Sequence, residues 1–96
     1  MALTFTQEAR DDIENIHAYI AQQNLAQAHK VVALVQIAIN RLTTFPGMGR
    51  IGRVEGTREL VVPRLPYVVI YTHRDDDDHD IVIQRVLHGV QQWPPP

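Results

Sequence analysis

Phe45 to Tyr71 reads FPGMGRIGRVEGTRELVVPRLPYVVIY, and the fold turns on how this stretch divides. Its opening Pro46-Gly47 ends the helix before it, because proline has no N–H to give a helix and glycine readily leaves one. Arg50, Arg53 and Arg58 then fall among Gly47, Gly49, Gly52 and Gly56. Glycine admits positive φ and the close approach of another backbone, while arginine offers a planar donor fork suited to phosphate or carboxylate. The loop therefore reads as a surface built to touch something anionic. Beyond it, Arg58 to Val62 reads as a strand, and Pro63 and Pro66 bracket a turn. Tyr67 to Tyr71 is a continuous, largely β-branched run, as expected of a central, covered strand.

Upstream, the apolar residues recur at helical spacing. Ala2 to Phe5 alternates small or apolar residues with polar ones and reads as a short first strand. Thr6 offers an N-cap, with Glu8, Asp11 and Asp12 near the positive end of a helix over residues 6–22. Ile13, Ile16 and Ile20 mark its apolar stripe. Asn24 caps a second helix, with Gln27 in the capping-box position. Ala28, Val31, Val35, Ala38, Ile39 and Leu42 line its core face, and Val32 and Leu34 widen it. Helices joined this closely form an antiparallel hairpin. Downstream, the Asp75–Asp78 run reads as a solvated hairpin loop. Ile81, Ile83, Arg85 and Leu87 then alternate with Val82, Gln84, Val86 and His88 in a last strand. Residues 1–96 are expected to form one α+β domain of order β-α-α-β-β-β, a helical hairpin packed on a small, mostly antiparallel sheet.

Ninety-six residues suffice for a single core. The absence of cysteine removes disulfides, thiolate nucleophiles and cysteine zinc sites together. No basic start with an apolar h-region is visible, and no apolar run nears the roughly 20 residues that cross a bilayer. A cytoplasmic protein without a membrane partner is expected. The net charge is −2, yet residues 41–74 hold six arginines against Glu55 and Glu59. One basic surface on a mildly acidic chain points to a local anionic contact rather than to general nucleic-acid binding. The consecutive aspartates, flanked by His73 and His79, lack the spaced ligands of a calcium loop. No metal and no cofactor are expected.

The opening FTQEARDDIENIHAYIA, the junction RLTTFPGMGRIGRVEGTRELVV, the segment LPYVVIY and the ending VLHGVQQWP resemble, in order and spacing, the RelE/ParE superfamily of toxins. These belong to type II toxin–antitoxin modules, and the resemblance covers essentially the whole chain. It implies a toxin, held with a cognate antitoxin in a hetero-oligomer and associated with plasmid stabilization. Ribonuclease members resembling RelE cut messenger RNA on the ribosome, whereas members resembling ParE poison DNA gyrase.

By that resemblance Arg58 falls where ribonuclease members keep a sheet arginine, and His88 where some keep a C-terminal histidine. These are the catalytic candidates of an mRNA interferase. Against them, Val68 follows the aromatic Tyr67 where such members put an arginine, no lysine lies in the loop or sheet, and no tyrosine follows His88. Gyrase is therefore the expected target, with Arg50, Arg53, Arg58 and Trp93 as target-binding candidates. The antitoxin is expected to fold onto an apolar groove that includes Ile13, Ile16, Ile20, Val32 and Leu34. Some of that stripe should then remain exposed in the free toxin. For His88 a strand-end structural role competes with proton transfer, and for Trp93 anchoring of the tail competes with stacking.

Overall fold

The computed structural model describes residues 3–73, 80–89 and 93–94. The chain runs β1 (Leu3–Phe5), α1 (Gln7–Ala21), α2 (Leu25–Arg41), β2 (Arg50–Ile51), β3 (Thr57–Val61), β4 (Tyr67–His73) and β5 (Ile81–His88). The strands form one sheet in the order β1-β5-β4-β3-β2. β1 pairs parallel to β5, and every other neighbour is antiparallel. The α+β architecture agrees with the sequence reading, with one strand more. β2 lies inside the glycine-rich segment and adds only two cross-strand pairs, Arg50 with Glu59 and Ile51 with Arg58.

Both helix starts form as their caps dictate. The Thr6 side chain accepts the Ala9 N–H at 3.0 Å, and the Asn24 side chain accepts the Gln27 N–H at 2.9 Å. Each satisfies one of the donors that a helix N-terminus leaves without an internal partner. Ala28, Val31, Val35, Ala38, Ile39 and Leu42 are all buried. Leu34, expected to widen that face, is 39% exposed on the outside of α2. The core lies between the helices and one face of the sheet, where Val35, Ile39 and Leu42 join Leu60, Val62, Val69, Tyr71, Ile81, Ile83 and Val86.

The last strand departs from strict alternation. Ile70 pairs with Arg85, but Tyr71 pairs with Ile83, so Gln84 is an extra residue and the strand bulges. Ile81 and Ile83 face the helices; past the bulge Val86 takes the place that simple alternation gives Arg85. Leu87 is buried as well, but outside the helix-side core.

The bulge is held by the start of α1. The Thr6 hydroxyl donates to Gln84 O at 2.8 Å, and the Thr6 N–H donates to Ile83 O at 3.0 Å. Six residues on, Asp12 accepts Arg85 Nε at 2.8 Å and Arg85 Nη2 at 3.0 Å, and its Oδ2 also accepts the Val86 N–H at 2.9 Å. β1 covers this edge only from Ile81 to Ile83. Asp12 thus replaces, with one carboxylate, a ladder bond that β1 is too short to make.

Candidate functional site

Strand alternation divides the basic segment between two faces. Leu60 on β3 and Val62 just past its end join the helix-side core, so Arg58, at the same parity and paired with Tyr71, lies on that side. Glu59, paired with Ile70, lies on the helix-free face. The arginines clustered in sequence therefore do not make one patch.

Arg58 closes the loop that follows α2. Its Nη1 donates to Gly49 O at 2.8 Å and to Gly47 O at 3.4 Å. Beside it the Tyr71 hydroxyl donates to Pro46 O at 2.7 Å and accepts the Gly49 N–H at 2.9 Å. Burial pushes the Tyr71 hydroxyl up, so it stays protonated and able to donate. Gly49 has no room for a side chain: a Cβ there would stand 2.7 Å from the Tyr71 hydroxyl and 3.1 Å from Glu59 O.

On the other face, Glu59 is 4% exposed and accepts Arg50 Nη2 and the Arg53 N–H, each at 3.0 Å. Burial alone would raise its carboxyl, but the Arg53 N–H and the Arg50 guanidinium outweigh burial and hold it below the usual range. A carboxyl lowered on folding contributes stability that is present above its unfolded value near ~4.3 and is lost as pH falls through the folded value. Glu59→Gln is accordingly expected to cost about 1 kcal/mol at pH 7. The deficit should close as the pH falls through the folded value, where the wild-type carboxyl protonates too. Melting curves of both proteins between pH 7 and 3 measure this, and a pH-independent gap would refute it.

Arg50, Arg53 and Glu59 share a cleft on the helix-free face with Ile70, Leu87 and Trp93. Trp93 thus borders the helix-free face of the sheet, and among the described residues its buried Nε1 finds no hydrogen-bond partner. Arg50, Arg53 and Trp93 are brought together there, and His88 borders the same cleft; Arg58 is not among the lining residues.

The two catalytic candidates are also apart. Arg58 pairs with Tyr71, and His88 pairs with Tyr67 at the other end of β4. Four residues of strand and two strand spacings place their backbones roughly 13 Å apart along the sheet and about 10 Å across it. The His88 ring meets Tyr67 edge-on, centroid to centroid 5.8 Å. Both border a groove with Asp12, Ile16, Tyr19 and Val86. Burial, with Tyr19 nearby, raises the Tyr67 hydroxyl. Among the described residues no basic side chain other than His88 lines that groove.

Of the expected antitoxin contacts, Ile13 and Ile16 pack against the core while half-exposed, and Ile20 and Val32 are also half-buried. Leu34 borders a shallow groove with Ile37, Ala38, Arg41, Val62 and Pro63. Sequence reasoning missed Asp12 with Arg85, and it missed the exposed Ile37, Phe45 and Met48. The Asp75–Asp78 loop and His79 lie outside the described residues, and among the described residues no three potential metal ligands cluster. No described helix is long and apolar enough to cross a membrane.

A family model described as the ParE toxin of the type II toxin–antitoxin system parDE matches residues 3–93. The chain belongs to the ParE toxin family. A curated relative named "Putative toxin Y4kP", from Sinorhizobium fredii (strain NBRC 101917 / NGR234), is 36% identical over 92 residues, covering 96% of this chain and 92% of that protein. The fold is similar to the chromosomal ParDE toxin–antitoxin system of P. aeruginosa, with a TM-score of 0.78 and 25% identity over 92% of this chain and 95% of that one. It is also similar to a chain of the toxin–antitoxin complex RelBE2 from Mycobacterium tuberculosis. There the TM-score is 0.58 and the identity 32%, over 91% of this chain and 95% of that chain. The ParE-family chain is thus a toxin of a type II toxin–antitoxin system, and its helical hairpin on a mixed sheet is the architecture of both relatives.

Proposed function

We propose that this ParE-family toxin stops growth by binding and poisoning DNA gyrase, and that a cognate antitoxin holds it in check. The observation that carries the reading is the separation of Arg58 from His88. A ribonuclease needs a phosphate clamp and a proton-transfer group at one scissile bond, within hydrogen-bond reach of the reacting atoms. Here the Arg58 guanidinium bonds to Gly47 O and Gly49 O, and His88 packs against Tyr67 at the far end of the sheet. The likeness to the P. aeruginosa ParDE system supports the same side of the superfamily, and both solved relatives belong to toxin–antitoxin pairs.

On this reading the toxin is a binding inhibitor and performs no chemistry. Its target contact is the cleft of Arg50, Arg53 and Trp93, where two guanidinium groups offer donors to an acceptor-rich segment. Growth arrest should then survive His88→Ala. Loss of a general acid or base lowers a rate by about 10²–10⁴-fold, which would make an enzymatic toxin harmless. Colony counts after induction, with circular dichroism confirming that the variant is folded, measure this. Because His88 also borders the Arg50–Trp93 cleft, a harmless but folded His88→Ala would reject gyrase binding only where the wild-type toxin also cuts a ribosome-bound message.

A further inference from the structure

His17 on α1 and His29 on α2 stand at equal distance from the turn that joins the helices. His17 is four residues before Ala21, the last of α1, and His29 four residues after Leu25, the first of α2. Seven residues farther from the turn on each helix, Arg10 and Gln36 border one groove. Seven residues are about two helical turns, so both pairs lie along one seam between the helices. The two imidazole rings are near parallel, 22° between planes, with centroids 5.1 Å apart. His29 is exposed and His17 half-buried, so the pair is open to solvent. Neither histidine lines the cleft of Arg50, Arg53 and Trp93.

We propose that His17 and His29 chelate one transition-metal cation of the zinc or copper class and so clamp α1 to α2. In a bis-imidazole chelate each nitrogen stands about 2.0–2.1 Å from the ion and each ring centre about 3.2 Å from it. At a tetrahedral angle the two ring centres are then roughly 5 Å apart. The separation between these rings already has that value. The last torsion of a histidine side chain is broad, so small ring rotations aim both lone pairs at one point. Imidazole selects zinc, copper and nickel over magnesium and calcium, which take oxygen ligands. Among the described residues no third candidate ligand clusters with the pair, so water fills the remaining positions and the ion is exchangeable. The clamp closes the end of the hairpin that packing holds least. Gln22, Gln23, Asn24 and Leu25 at the turn are exposed, whereas Asp12 ties the first half of α1 to β5.

The test uses untagged, full-length toxin and the metal salts alone, at pH ~7.5, because an imidazole must be neutral to ligate. Saturating Zn2+ is expected to raise the melting temperature by about 5 °C or more, and Mg2+ to leave it unchanged. In calorimetric titration the Zn2+ affinity should fall at least ~10-fold in His17→Ala and as far in His29→Ala. The double variant should be no worse than either, because a chelate is lost with its first arm. The exposed position of His29 keeps the experiment decisive, since circular dichroism should show His29→Ala folded as wild type. Added Cu2+ should broaden the amide resonances around residues 17 and 29 first. A melting response shared with Mg2+, or single losses that add in the double variant, would overturn the clamp. So would broadening that begins in segment 73–80, which holds His73, His79 and the aspartates. No response to zinc would overturn it too, and is what two stacked rings alone would give.

Discussion

Asp12→Ala is expected to destabilise the fold by about 3 kcal/mol, the low end of what removing one partner of a buried ion pair costs. The side chains are 14% exposed at Asp12 and 27% at Arg85. Water therefore compensates the stranded guanidinium only in part. Three hydrogen bonds end on that carboxylate, one of them from the Val86 N–H, which lies past the end of β1. Alanine leaves that N–H without its acceptor, which adds the penalty of an unsatisfied backbone donor. For a chain of this length the loss corresponds to a fall in melting temperature on the order of 10–20 °C. Asp12→Asn separates the two contributions, since an amide oxygen can still accept from Val86 but carries no charge. It should cost about half as much. A double-mutant cycle with Arg85→Ala isolates the pair itself. If Asp12→Ala melted within 2 °C of wild type (about 0.5 kcal/mol or less), the carboxylate would not be what fixes α1 on β5.

Tyr71→Phe removes one oxygen and is expected to cost about 2 kcal/mol. The hydroxyl links two segments far apart in sequence by donating to Pro46 O and accepting from the Gly49 N–H. Gly49 is buried, so its N–H loses its acceptor without water to replace it, and a buried polar group left in that state costs about 1–3 kcal/mol. Pro46 is half-exposed, and its carbonyl can turn to solvent at a smaller cost. The ring itself keeps its packing in phenylalanine. The effect should reach beyond stability, because Gly49 O also accepts from Arg58 and the next residue, Arg50, pairs with Glu59. Amide hydrogen exchange over residues 47–53 should accelerate in the variant while β4 and β5 stay protected. Urea unfolding measures the first effect, and unchanged exchange in that segment would refute the second.

Much of the architecture is legible in the sequence because each layer repeats its own period. The buried residues of α2 recur at helical spacing and face the core as spaced, and Thr6 and Asn24 cap as their chemistry dictates. β4 is central because it is apolar on both faces, with Val69, Ile70 and Tyr71 all buried. What escapes is non-local. β5 reads on paper as a simple two-residue alternation from Ile81 to His88, yet the bulge at Gln84 shifts its phase, and only the partner strand and Thr6 reveal that extra residue. β2 has two residues between Gly49 and Gly52, too short for any periodicity. The arginine cluster reads as one patch because a loop carries no facing rule. Once β2 and β3 are in register, Arg50 belongs to Glu59 and Arg58 to the loop carbonyls. Asp12 reads as a helix-start acid, which it is, but its partner lies seventy-three residues away on β5.

Gyrase binding, the function proposed above for this toxin, can be read in two parallel reactions. Purified toxin should be added to gyrase with relaxed plasmid and ATP, and in parallel to ribosomes stalled on a defined message. Loss of supercoiling with accumulation of cleaved plasmid, weakened by Arg53→Glu, with the message left intact, is the predicted result. A cut message with supercoiling untouched would contradict it.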